Sequence, residues 1–303
     1  MSKSSSNVRG AGMIMLSLLV FSLQDVIVKW LGGEYSVLQV VTLRSLVALP
    51  FTLLFFMGEG GRGLPKTERP KPEYLRGLFL FLSFTTYMMG LAALPLAEVS
   101  AIRNSAPLMI TLLSVAWLRE RVGLDSWAAL LVGFGGVLLI VRPGSVSFNL
   151  GSIFVLISVL FYALAVMTTR KLQTTDSSAT MAYFSSLVYL IASFVLAPLV
   201  AFAGETPDAH ASIAFLFRAW TLPPLLDTVA MGGMGILWAG GMYLMARAYS
   251  LAKASVIAPF EYVSLPISAL WGFVLWQETP TWTTWLGAAL TLLSGMYVVY
   301  RAR

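Results

Sequence analysis

The chain has 303 residues, of which 58% are hydrophobic and 11% charged, with a formal net charge of +6 and no cysteine. Soluble domains carry about 25% charged residues, so no soluble core of this length could cover so much apolar surface, and lipid must be the solvent for much of it. The lack of cysteine excludes disulfide frameworks, thiolate metal sites and cysteine nucleophiles.

A membrane-spanning helix needs about 20 mostly apolar residues. The first candidate, 11–31, follows a short polar start with Lys3 and Arg9 and is interrupted by Gln24, Asp25 and Lys29. It has no small-x-small cleavage site and reads as a retained spanning helix rather than a signal peptide. Stretches 37–57, 74–94, 99–118 and 124–141 follow. The polar stretch 58–73 between the second and third, rich in glycine, proline and basic residues, is expected to be a mobile loop. Beyond Pro143-Gly144 come 150–169, 179–202, 226–248, 254–276 and 281–300. The milder connection 203–224 has room for a short surface helix. The expectation is an all-α membrane protein of ten transmembrane helices.

Basic residues set the orientation. With the N-terminus in the cytoplasm, fifteen of the twenty Lys and Arg fall on the inner side; Lys29, Arg142 and Arg218 fall outside, and Arg44 and Arg103 within helices. Cytoplasmic loops carry such an excess, so both termini are expected in the cytoplasm. The same placement argues for membrane-flanking loops and against nucleic acid.

The second half of the chain repeats the first. Leu118-Arg119-Glu120 ends the fourth stretch and Trp276-Gln277-Glu278 the ninth; Trp127 and Trp285 each follow the glutamate by seven residues. Leu96-Ala97-Glu98-Val99-Ser100 resembles Leu251-Ala252-Lys253-Ala254-Ser255. Two repeats are expected, 1–145 and 146–303. Five helices is an odd number, so the repeats have inverted topology, the plan of many transporters whose solute site lies between halves.

These pieces, in their order and spacing, resemble the EamA family of the drug/metabolite transporter superfamily over essentially the whole chain. The resemblance rests on residues 21–29 with Asp25 four before Lys29, on Thr42-Leu43-Arg44-Ser45-Leu46, on Ala106-Pro107, on Arg119-Glu120-Arg121 and on Gly133 to Gly136. It continues in Leu265-Pro266, Gln277-Glu278 and Trp285-Leu286-Gly287-Ala288. One departure is Gln277-Glu278-Thr279, where a basic residue often flanks the glutamate. The resemblance implies a metabolite exporter or permease of a bacterial cytoplasmic (inner) membrane, in a family that handles amino acids, aromatic ones among them, and lipophilic cationic drugs.

Charges inside a membrane cost about 2.5–3.5 kcal/mol each on insertion scales and are functional candidates. Asp25 and Arg44 both lie roughly 10 Å below the outer edge, at 1.5 Å per residue, and Lys29 is one turn from Asp25. The three form either a gate for a zwitterion's amine and carboxylate or a structural cluster locking two helices. Arg103 and Glu261 occupy matching positions when Glu120 is laid on Glu278. Glu261 can bind a substrate amine or exchange it for a proton; alternatively it pairs with a base such as Lys253 while Arg103 snorkels. Tyr87, Tyr162, Trp238 and Tyr243 can stack on an aromatic solute or cation, or simply pack. The expected substrate site is Tyr87, Arg103, Tyr162, Trp238, Tyr243 and Glu261, in a cavity lined by the first, third, fourth, sixth, eighth and ninth helices.

Other chemistry finds no support. The glycine pattern at 58–63 follows a membrane helix rather than a strand and is coincidence. His210, the single histidine, falls in an outer connection. No Walker loop is present, so this chain does not hydrolyse ATP. An intramembrane serine protease would need a membrane histidine, and an aspartyl one a second central aspartate; Asp227 lies only at a helix edge. The expectation is therefore a secondary carrier or facilitator, not an enzyme, with no cofactor or metal. Its partners are a small-molecule solute, the bilayer and, if transport is coupled, protons. Aromatic or other hydrophobic amino acids are the first solute expected, lipophilic cations the alternative.

Overall fold

A computed structural model describes residues 3–31, 34–106, 108–110, 112–113, 124–141, 149–172, 174–206, 208–251, 260 and 263–301. The described residues form eleven helices and no strand: α1 (Lys3–Leu31), α2 (Val37–Gly58), α3 (Pro70–Leu91), α4 (Leu96–Arg103), α5 (Leu124–Val141), α6 (Leu150–Leu172), α7 (Ser178–Ala203), α8 (Ala211–Phe217), α9 (Leu225–Leu251), α10 (Ser264–Trp276) and α11 (Trp282–Arg301). Five stretches among them are long and apolar enough to cross a bilayer: Val8–Leu31, Val37–Gly58, Leu150–Thr169, Ser178–Ala203 and Leu225–Ala248. Large apolar side chains such as Leu54, Phe194 and Leu199 lie exposed on these helices. Water penalises such surface and lipid does not. The chain is a multi-pass membrane protein.

The heavily packed pairs join early helices to late ones. α1 packs on α9, α3 on α6 and α7, α2 on α7 and α9, α4 on α10, and α5 on α11. The pattern is reciprocal: the first helix before residue 142 leans on the third spanning helix after it, and the first after residue 149 leans on α3. α2 and α7 meet between them, each with an internal proline, Pro50 and Pro198. Where α9 crosses α2, a Cβ on Gly235 would stand 2.4 Å from the backbone oxygen of Arg44. Only glycine permits that approach.

Two local expectations change. The stretch expected as one helix over 99–118 begins at Leu96 and breaks after Arg103. The reason is Pro107, which has no N–H to give the Arg103 carbonyl; helical bonding resumes from Ser105 to Leu108 and Met109. α3 starts at Pro70, because a proline in the first turn sacrifices no hydrogen bond. The preceding connection touches the second half of the chain at Thr67, which donates to Asp176 at 2.8 Å. The short helix that 203–224 has room for is α8, capped by the His210 ring, which accepts from the Ser212 N–H at 3.3 Å.

Polar ties fasten both ends of the bundle. Where α1 stops, Tyr35 donates to Asp227, and that bond pushes the tyrosine hydroxyl up to about 12. Gln39 grips Thr221 twice, donating to its carbonyl at 2.6 Å and accepting from its N–H at 3.2 Å. At the opposite end Arg76 pairs with Glu73 at 3.1 Å and donates to Ser185 of α7 at 2.8 Å.

Candidate functional site

The cavity among the described residues lies where α1, α3, α4, α6, α9 and α10 converge, and it measures about 50 Å³. That is room for a few water molecules. Its polar wall holds Asp25 from α1, Tyr87 from α3, and Ser100, Arg103 and Asn104 from α4 and its cap. Ser264 and Ser268 of α10 complete it, while Phe21, Tyr162 and Met245 give it an apolar side.

Each side chain arrives there for a local reason. Asp25 is carried in by the face of α1 that packs on α9 and α10. The break after Arg103 lets Arg103 and Asn104, which are consecutive, both line the space. Tyr87 shares this wall with both charges, and its ring lies under the Arg103 guanidinium. The Arg103 guanidinium carbon lies 4.7 Å from the Tyr87 ring centre and 6.0 Å from that of Tyr162. Tyr162 reaches the Met245 sulfur at 3.9 Å. Trp271 donates to Ser22 at 3.2 Å and closes the wall between α1 and α10. An anion, a cation and two rings therefore share one small space walled by protein, where charges act strongly on one another.

The other residues expected from the sequence lie elsewhere. Arg44 does not meet Asp25: its guanidinium carbon sits 3.8 Å from the Phe84 ring centre, 4.8 Å from Tyr189 and 5.1 Å from Trp238. Consecutive helices separate because α1 packs on α9 instead of on α2. Lys29 pairs with Glu278 and lies 5.0 Å over the Trp276 ring. Trp238 belongs to the Arg44 cage, and Tyr243 stacks on Phe55 at 5.0 Å, so neither lines the cavity described here. Glu261 lies outside the described residues. Sequence reasoning passed over Asn104 and the serines. The signal was available in Ser105-Ala106-Pro107 and Ser264-Leu265-Pro266, matching serine-x-proline segments in the fourth and ninth stretches.

The arrangement offers a small molecule a carboxylate, a guanidinium and two aromatic rings. Among the described residues no group of three His, Cys, Asp or Glu side chains could hold a metal.

Comparison with known proteins agrees. The chain is 27% identical over 295 residues, 96% of its length, to an S-adenosylmethionine uptake transporter of Rickettsia bellii, covering 93% of that protein. It is 27% identical to a riboflavin transporter of Vibrio cholerae, with 96% and 92% covered. It is 26% identical to a pseudopaline exporter of Pseudomonas aeruginosa, with 96% and 93% covered. One solved crystal structure superimposes with a TM-score of 0.65 over 99% of this chain and 98% of the other at 16% identity, which shows a shared fold. The model of the EamA-like transporter family matches residues 8–142 and again 149–300. The chain belongs to that family, within the drug/metabolite transporter superfamily, and is a transporter of small molecules rather than an enzyme.

Proposed function

We propose that this protein is a secondary carrier or facilitator for small organic solutes bearing an amino-acid head group and an apolar body, aromatic or other hydrophobic amino acids foremost. The observation that carries the reading is the placement of Asp25, Tyr87 and Arg103 in one cavity. A solute ammonium suits Asp25, its carboxylate suits Arg103, and Tyr87 and Tyr162 offer faces to the apolar body. S-adenosylmethionine, the solute named for one group of relatives, is a methionine derivative with the same head group. A lipophilic cation would meet Arg103 in the same space, which favours the zwitterion over it.

Ten spanning helices in two inverted five-helix halves, in a bacterial inner membrane with both termini cytoplasmic, form the proposed frame. The reciprocal packing of α1 on α9 and of α6 on α3 supports it, as does the double match of the family model. Alternating access then means exchanging which end of the cavity is sealed. Glu261 is the proposed coupling carboxyl, able to hold a substrate amine or a proton in turn.

Counterflow of labelled solutes in proteoliposomes, with and without a pH gradient, tests the whole reading. Zwitterionic hydrophobic amino acids should exchange, and Glu261→Gln should remove gradient-driven accumulation while downhill exchange persists. Exchange of neutral solutes alone, with no amino acid carried, would sink the zwitterion assignment. Unaltered gradient-driven uptake in Glu261→Gln would remove Glu261 from the coupling role.

A further inference from the structure

We propose that Asn104 is a specificity-determining residue, which reads the carboxylate of the solute together with Arg103 and is aimed by Ser264 from the other half of the chain. The inference rests on the cavity being the solute site.

Asn104 is 5% exposed and lines the cavity, yet its amide nitrogen Nδ2 has no hydrogen-bond partner. Buried amide donors are almost always satisfied, so an orphan facing a cavity marks where a ligand acceptor belongs. Its other end is fixed: Oδ1 accepts from the Ser264 hydroxyl at 3.4 Å. That bond turns the two N–H groups away from α10. Ser105, the nearest hydroxyl in sequence, donates to the Ile102 carbonyl at 2.7 Å. Arg103, immediately before Asn104, offers donors only. The α4 break thus presents a guanidinium and an amide side by side, all donors, on a wall that shares its cavity with the Asp25 carboxylate. Such a set favours a carboxylate over an ammonium or a neutral hydroxyl at this end.

The contact between Ser264 and Asn104 joins two helices that each start or stop beside a proline, one from each half of the chain. Movement of the halves past one another would break it and let the amide swing. Recognition of the carboxylate is then strongest while that contact holds.

The test compares solutes that differ only by a carboxylate, using the full chain in proteoliposomes. L-phenylalanine with 2-phenylethylamine is one pair, and S-adenosylmethionine with its decarboxylated form is the other. Asn104→Leu should raise the KM of the acid relative to that of the amine by about tenfold, the effect of one lost hydrogen bond to a charged group. Asn104→Asp keeps the shape and sets an anion against the carboxylate, so the ratio should rise further. Ser264→Ala should shift it the same way by a smaller factor. Asn104→Asp keeps the proposal open to refutation if the leucine variant fails to fold. A KM ratio that stays constant in every folded variant overturns the role of Asn104 and leaves the carrier reading intact. An unmodified protein that exchanges neither member of either pair overturns the amino-acid reading, and this inference with it.

Discussion

Arg44 has no exposed surface, and three aromatic faces surround its guanidinium instead of a carboxylate. A desolvated cation over an aromatic ring gains about 2 kcal/mol or more, while a buried charge that loses its partners is strongly destabilising. Trp238→Leu should therefore lower stability by about 2 kcal/mol or more, read as a fall in melting temperature in detergent. Adding Arg44→Met to it should recover much of that loss, because the stranded charge goes too. A double variant melting no higher than Trp238→Leu alone would refute the cage. That Arg44 falls inside a helix was legible from its count along the sequence. Its neighbours were not, because residue spacing fixes height along an axis and says nothing about which of the other helices stands opposite. The same blindness set Asp25 against Arg44 when its cavity partners are Tyr87 and Arg103.

The short turn after α10 shows how an element is held in an unfavourable shape for a purpose. Gln277 is left-handed, at φ 57°, and is the one non-glycine residue with positive φ among those described. That turn carries Glu278 back over α10, where a Cβ on Gly272 would come within 3.1 Å of its carboxylate. One carboxylate oxygen takes Lys29 at the end of α1, and the other takes the Leu96 N–H that opens α4, at 3.0 Å. A helix N-terminus and an ammonium thus share one anion. Along α1 this clamp lies about 6 Å, one turn, beyond Asp25. It ties α1 and α4, two walls of the cavity, to a third, α10. Because the chain has no cysteine, a single Ser268→Cys can report access to the cavity. Glu278→Gln in that background should raise its rate of modification by a charged thiol reagent several-fold. An unchanged rate would show that the clamp does not seal this end. Glu278 was visible in the sequence as the repeat of Glu120, but one of its two partners is a backbone N–H, which no side-chain pattern can announce, and the other, Lys29, is 249 residues away along the chain.

At the scale of the molecule, apolar runs and their turn residues gave most helices to within a few positions, since bilayer thickness dictates their length. They missed the break after Arg103, a local effect of Pro107 inside an otherwise continuous apolar run. They also gave no hint that helices interleave, with each major contact crossing the middle of the chain. Sidedness rests on charge alone, and it is open to direct measurement. Single cysteines at Arg62 and His210, added to intact cells with an impermeant label, should react only at the second position. The reverse pattern would invert the proposed topology. Interleaving also bears on the cavity of about 50 Å³. Pockets that engulf organic ligands run to about 300–1,000 Å³, so a solute cannot simply drop into this space. Its arrival must part helices drawn from both ends of the chain, and part of its contact energy is used in doing so. Binding that opens this space enlarges the protein, and hydrostatic pressure, which acts on volume alone, will push against loading.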